Sequence, residues 1–202
     1  MYIDNNWYGN RFILSRYCKI KDKSALACIQ HGLFLPKNFL KNNQKIKRTF
    51  NFPWLVWDKK TEKVLKKRDV KNIFSIGSPF IYLNDILKNK IFSKPKGTLI
   101  IPTKSSKEVN LTVDYLSIIN FLKKKFPKPY TIVVGYFDLK EVGKIKNKFK
   151  DCKFVTCGKR GNKFFSFKLF KMMKMHKKVV ILYAGSPILY SLFLKKKNIL
   201  LP

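Results

Sequence analysis

Acidic residues are scarce: 11 Asp and Glu stand against 44 Lys and Arg, for a net charge of +33. Such an imbalance disfavours cationic partners and directs expectation to anions, whether nucleic acid, anionic lipid or a phosphate-bearing small substrate. Arginine is scarce too. Only Arg11, Arg16, Arg48, Arg68 and Arg160 occur, so lysine carries the charge. Arginine is the residue suited to bidentate phosphate and base-edge contacts, which argues against a dedicated nucleic-acid reader. Abundant Lys, Asn, Ile and Phe together look like an AT-rich coding bias, and much of the charge is discounted on that ground.

Cysteine is limited to Cys18, Cys28, Cys152 and Cys157. None forms a CxxC pair or sits at zinc spacing from a histidine, so reduced thiols are expected. Cys152 and Cys157 bracket a predicted strand. No leader is expected at the start, because Asp4, Asn5 and Asn6 break any apolar run. The longest apolar stretch, Val179 to Leu194, contains Gly185, Ser186 and Pro187 and falls short of the ~20 residues of a spanning helix. Neither GxGxxG nor GxxxxGK[ST] is present, and there is no Asp-x-Asp pair or His/Asp/Glu cluster for a metal.

What remains is a chain 46% hydrophobic and 15% aromatic, ample for a buried core. Its second half alternates regularly. Strands are expected at Gly97–Pro102, Tyr130–Tyr136, Lys153–Cys157, Lys178–Tyr183 and Asn198–Leu201. Between them the apolar spacing of Val113, Leu116, Ile118, Ile119, Leu122 and Phe126 predicts a helix. Further helices are expected over Asp138–Lys148 with Asp138 as N-cap, over Phe165–Met175, and from the Gly185-Ser186-Pro187 turn through Leu194. Such alternation demands a parallel, Rossmann-like sheet. Phe164, Phe165, Phe167 and Phe170 read as a core stripe at helical spacing, with a stacking platform for nucleic acid as the alternative.

The first half is less regular. A helix is expected over Arg11–Ile20, a strand over Ala25–Gln30, and a basic Asn-rich loop over Lys37–Arg48. Next come a strand at Trp54–Trp57, a helix capped by Asp58 to Lys67, and a strand over Asn72–Gly77. The expected organisation is a reduced N-terminal α/β domain over residues 1–94 and a Rossmann-like domain over 95–202, hinged at Lys94-Pro95-Lys96.

Ligands of open parallel sheets gather at the carboxyl ends of strands. The candidates there are His31-Gly32, Ser78, Thr103-Lys104-Ser105-Ser106, Gly158-Lys159-Arg160 and Gly185-Ser186. The Gly185-Ser186 turn would aim backbone N–H groups at a phosphate; the alternative is an ordinary turn with Ser186 as N-cap and Pro187 at the first helical position. Thr103 to Ser106 offers hydroxyls and an ammonium group, or is a solvated loop. Lys159 and Arg160 could clamp a diphosphate. His31 could serve as a general base or remain structural, and His176 is expected to make a helix C-terminal contact.

The strings Asn6-Trp7-Tyr8-Gly9-Asn10, Ile29-Gln30-His31-Gly32, Trp54-x-x-Trp57 and Ile76-Gly77-Ser78-Pro79-Phe80 occur in this order. Ile101-Pro102-x-x-Ser105-Ser106, Thr156-x-Gly158 and Gly185-Ser186-x-x-x-Tyr190 follow them. Together they resemble bacterial surface-polysaccharide (capsule or lipopolysaccharide) biosynthesis proteins of GT-B-like glycosyltransferase architecture, over nearly the whole chain. The resemblance implies two Rossmann-like domains and a metal-independent transferase without a cofactor. A nucleotide-sugar donor would be held by Thr103, Lys104, Ser105, Ser106, Gly158, Lys159, Arg160, Gly185, Ser186 and Tyr190. Tyr8, Asn10, Gly32 and Ser78 would face a glycan or lipid-linked acceptor, with His31 catalytic. A cytoplasmic location follows, with peripheral contact to the anionic inner face of the cell membrane. The chain departs from the pattern where Lys104 replaces a family histidine and Lys159-Arg160 a second histidine or aromatic, and the closing helix of GT-B enzymes is missing from the expected elements. Lysine is a poorer proton shuttle than histidine near neutral pH. An inactive, scaffold-like relative and a basic nucleic-acid-binding protein are the alternatives.

Overall fold

The computed structural model describes residues 7–21, 27–32, 52–102 and 114–200, with the side chains of 198–200 left aside. It is an α/β protein with two all-parallel sheets. The chain divides into two compact units, and they are not contiguous in sequence. The first holds residues 1–89 together with Arg160–Ser166, and the second holds 90–159 and 167–202. The expected boundary was a single hinge at Lys94–Lys96; the seven-residue return to the first unit is a long-range event that local composition does not encode.

In the first unit the strands are short: β1 (Cys28–Ile29), β2 (Trp54–Val56) and β3 (Ile73–Ser75), paired in that order. Alternation along β2 sends Trp54 and Val56 to one face, where they pack with Leu65, Val70 and Ile73. Leu55 goes to the other, beside Leu14, Ala27 and Ile29. Leu14 comes from helix α1 (Asn10–Tyr17), and Leu65 from α2 (Lys59–Lys66). Asp58 caps α2 as expected: its carboxylate accepts from the Thr61 N–H and hydroxyl, both at 2.7 Å. Glu62 ties α2 to β3, accepting from Lys66 at 2.7 Å, Ser75 at 2.5 Å and Lys59 at 3.0 Å. These donors hold its carboxyl down at about 2. A 3-10 turn (Pro79–Tyr82) and the short helix α3 (Leu83–Ile86) complete the unit, with the Tyr82 hydroxyl donating to the Ile76 carbonyl.

The second unit contains β4 (Thr98–Ile101), β5 (Tyr130–Val134), β6 (Cys152–Thr156), β7 (Lys178–Ile181) and β8 (Lys197–Leu200) in the spatial order β6-β5-β4-β7-β8. Counted within the unit this is 3-2-1-4-5, the doubly wound order. Every residue of β4 and β5 is buried, as their unbroken apolar runs require of central strands. Helices α4 (Tyr115–Lys125), α5 (Leu139–Ile145), α6 (Phe165–Met175) and α7 (Ser186–Phe193) provide the connections. Ile119, Leu122 and Val142 pack with Ile100, Ile132, Val134 and Val180 in one cluster.

Local corrections accompany this agreement. Asp114 caps α4 through the Ser117 N–H at 3.0 Å, so the buried face of α4 is Tyr115, Ile119 and Leu122, and Leu116 is 51% exposed. Val113 lies outside the described residues. Asp138 precedes α5, but its side chain makes no capping bond. The N-cap of α7 is Gly185, which places Ser186 first in the helix and Pro187 second. Of the phenylalanine stripe, Phe165 and Phe170 are buried and Phe164 is exposed. His176 is buried below the last turn of α6. Its Nδ1–H donates to the Met172 carbonyl at 2.6 Å, and its Nε2 accepts from Thr131 Oγ1 at 2.8 Å. Burial, with Lys196 and Lys153 nearby, pushes its pKa below the ordinary value.

Three helices end in the same way. Lys19, Asp69 and Lys195 have φ of 56°, 61° and 52°; Lys19 and Lys195 stand one residue past the cap and Asp69 two. After α1, the Lys19 N–H bonds the Arg16 carbonyl and the Ile20 N–H the Ser15 carbonyl. After α7, the Lys195 N–H bonds the Leu192 carbonyl and the Lys196 N–H the Ser191 carbonyl. These are Schellman closures with a side chain where glycine is the relaxed choice.

Candidate functional site

Each unit carries its own cluster of candidate residues. In the first, the chain turns sharply before α1: Tyr8 and Gly9 both have positive φ, 58° and 76°. Glycine suits this conformation; tyrosine is strained in it by roughly 1 kcal/mol or more. The turn persists because the returning segment locks it. Tyr8 N–H donates to the Arg160 carbonyl at 2.6 Å, and the buried Ser166 hydroxyl donates to the Tyr8 carbonyl at 2.7 Å. Gly9 lies so close to Lys163 that a Cβ would sit 2.1 Å from the Lys163 carbonyl oxygen.

Three rings and a guanidinium gather on this turn. The His31 imidazole stacks on Trp7, centroids 5.3 Å apart and planes 20° apart, and lies 6.4 Å from the Tyr8 ring. The Arg160 guanidinium is 5.6 Å from the Trp7 ring centre. Such contacts contribute on the order of 1 kcal/mol each. Burial raises the Tyr8 hydroxyl above its ordinary pKa, opposed by Arg160. Tyr8 therefore stays protonated near neutrality and acts as a donor, not a base.

The loop bearing His31 is fixed from below by Gln30, which is buried. Its side-chain oxygen accepts from the Trp57 N–H at 2.8 Å, its amide donates to the Gly32 carbonyl at 2.9 Å, and its backbone carbonyl accepts from Trp57 Nε1 at 2.9 Å and Asn10 Nδ2 at 3.3 Å. Asn10 and Gly32 thus hold the loop in place. Ser78 is a helix cap, accepting from the Phe80 N–H at 3.4 Å. Sequence reasoning passed over Gln30 and the role of Trp57. A glutamine just before a strand-end histidine was the available signal.

In the second unit, strand order reverses between β4 and β7. Their pairing runs to the end of both strands, where the Leu182 N–H meets the Ile101 carbonyl at 3.1 Å. The carboxyl end of such a pair is where open α/β sheets take their ligands. Gly185 and Ser186 follow β7 at this edge. Thr103, Lys104, Ser105 and Ser106 follow β4 and lie outside the described residues. The first turn of α7 has few donors to offer: Pro187 has no N–H, and the Ile188 N–H is bonded to the Gly185 carbonyl at 3.0 Å. Tyr190 points into the core, 8% exposed.

At the neighbouring carboxyl ends of β5 and β6, Tyr136 and Phe137 are exposed and edge-to-face at 5.5 Å. Lys159 Nζ sits 5.0 Å from the Tyr136 ring centre, and Gly158 turns the chain there at φ 89°. Lys159 therefore lies against Tyr136, while the Arg160 guanidinium lies over Trp7. Tyr115 adds a buried hydroxyl without a hydrogen-bond partner among the described residues, held well above its ordinary pKa by burial and by Asp138. The aromatic pair after β5 and Tyr115 were not singled out from sequence, because exposure cannot be read from residue type.

Among the described residues no three of His, Cys, Asp and Glu gather as a metal site, and no helix is long and apolar enough to cross a membrane. No family model, no curated protein and no solved structure matches the chain.

Proposed function

We propose that the second unit binds a nucleotide-sugar at the carboxyl edge of its five-stranded sheet, and that the protein is a glycosyltransferase-like member of surface-polysaccharide biosynthesis. The observation that carries the reading is the reversal of strand order between β4 and β7, with Gly185-Ser186 at one strand end. Thr103–Ser106 follow the other in sequence. Lys159 and the Tyr136–Phe137 pair supply a cation and an aromatic surface beside it, suited to a phosphate and a planar or sugar ring. The resemblance of the chain's short motifs to GT-B-like proteins supplies the reaction. The acceptor oxygen loses its proton to a base as it bonds the anomeric carbon, whose bond to the phosphate oxygen breaks with the electron pair leaving on the nucleotide. On the first unit, taken by itself, His31 is the group suited to accept a proton from an acceptor, its ring restrained by Trp7 and its loop by Gln30.

The experiment is thermal stabilisation by CMP, CDP, UDP and GDP, with short DNA as control. A shift from one nucleotide, lost in Lys159→Ala and Ser105→Ala, supports the reading. Equal shifts from every polyanion, abolished by salt, refute it and make the charge itself the function. The donor-poor first turn of α7 favours a second reading, a scaffold that holds glycan partners without transfer. Nucleotide binding with no sugar release from any nucleotide-sugar would select that reading.

A further inference from the structure

Where α1 ends there is a pocket of about 490 Å3 lined by Phe12, Ser15, Arg16, Lys19 and Ile20. All five residues belong to the first unit, and none takes part in the sites above. The volume is within the range of small-molecule sites, roughly 300–1,000 Å3.

Three features define its occupant. Arg16 and Lys19 are exposed cations, and there is no carboxylate among the described residues of the lining. Ser15 is 2% exposed, and its hydroxyl has no hydrogen-bond partner among the described residues. A helical serine ordinarily satisfies itself on the carbonyl one turn back or in water, and a buried hydroxyl left unsatisfied is a standing penalty that a ligand atom would relieve. The apolar part is Phe12, with the Arg16 guanidinium 5.2 Å from its ring centre, and Ile20, 49% exposed. The Schellman closure fixes Lys19 and Ile20 beside Ser15, and it satisfies the Ser15 and Arg16 carbonyls that would otherwise repel an anion.

We propose that this pocket binds a phosphate monoester carried on an apolar chain, of the alkyl phosphate class. The phosphate pairs with Arg16 and Lys19 and accepts from the Ser15 hydroxyl, and the chain lies on Phe12 and Ile20. Inorganic phosphate leaves the apolar wall unused, and a neutral alcohol leaves both cations unpaired. The inference stands on the first unit alone and does not rest on the nucleotide-sugar reading.

The full chain is titrated calorimetrically with decyl phosphate below its micelle concentration, with decanol and inorganic phosphate beside it. Decyl phosphate is expected to bind at least about tenfold tighter than either. Arg16→Ala weakens it by about tenfold or more, as loss of a charge-assisted pair should, and Lys67→Ala, at an exposed lysine that caps α2 and is not among the lining residues, leaves it unchanged. Ser15→Ala is the sharper variant. It removes an unpartnered hydroxyl and inserts a better helix former, so the free protein melts higher while decyl phosphate binds more weakly. Equal loss in Arg16→Ala and Lys67→Ala overturns the proposal in favour of diffuse charge. Unchanged affinity in Ser15→Ala overturns it, and so does binding to phosphatidylglycerol vesicles without binding to the monomeric phosphate.

Discussion

A methyl group added at Gly9 probes how firmly the returning segment is seated in the first unit. Alanine there meets two obstacles. At φ 76° it is in a conformation that costs an L-residue roughly 1 kcal/mol relative to glycine. Its Cβ would also lie 2.1 Å from the Lys163 carbonyl oxygen and 2.8 Å from the carbonyl carbon, both backbone atoms with no rotamer to change. Relieving this overlap displaces residues that also supply the Arg160 and Ser166 bonds to Tyr8. Each such bond contributes about 1 kcal/mol, so Gly9→Ala should cost about 2–4 kcal/mol. At about 4–8 °C per kcal/mol for a unit of this size, the first unit should melt at least about 8 °C lower. Tryptophan fluorescence reports on it directly, because Trp7, Trp54 and Trp57 all belong to the first unit. Gly143→Ala is the control. It lies within α5 with nothing within 4 Å of an added Cβ, and should stabilise by about 0.5–1 kcal/mol. A Gly9→Ala protein melting within about 1 °C of the parent would refute the reasoning and mean that the segment adapts freely.

Other outcomes follow from the same structure. Because His176 is held neutral with a lowered pKa, the unfolded chain takes up its proton first. Stability is complete above about 6.5 and declines as pH falls below it; urea midpoints between pH 8 and 5.5 should show this slope, and His176→Gln should flatten it. Glu62 acts at lower pH. Its carboxyl is held at about 2, so its contribution is present above its ordinary value and is lost as pH falls toward 2; Glu62→Gln should lower the urea midpoint at pH 7 and remove that part of the acid transition. Lys195→Gly relaxes a left-handed residue at the Schellman closure of α7 and should raise stability by about 0.5–1 kcal/mol in chemical denaturation. A midpoint that fell instead would show that the lysine side chain is held by something stronger than the strain.

The second half of the fold was legible because its strands are buried on both faces and so read as unbroken apolar runs, such as Tyr130 to Val134, separated by helices of definite period. Short strands carry less of this signal. β1 and β3 have two and three residues, and only Asp58 marked a helix start in that half that the structure then capped as expected. The face of α4 was misjudged by one position because Tyr115 and Leu116 are both apolar enough to be core, and it is the Asp114 cap that sets the phase. The placement of His31 at a strand end was readable. Its company was not: Trp7 and Tyr8 precede it by more than twenty residues and Arg160 follows by well over a hundred. Asn10 and Gly32 add a link that the string does not display, since each is hydrogen-bonded to Gln30 and helps hold the loop.

The return of Arg160–Ser166 also orders events in time. A chain emerging from the ribosome at roughly 5–20 residues per second presents residues 1–89 well before the segment that seats Tyr8, Gly9 and Phe12. During an interval on the order of ten seconds, the first unit exists with its aromatic turn unlocked, while most of the second unit is being made. A fragment ending at residue 94 would remain in that state permanently, so the two halves of the sequence cannot be exchanged as cassettes. Any splitting, fusion or circular permutation that keeps the first unit intact has to carry seven residues from the far side of the second.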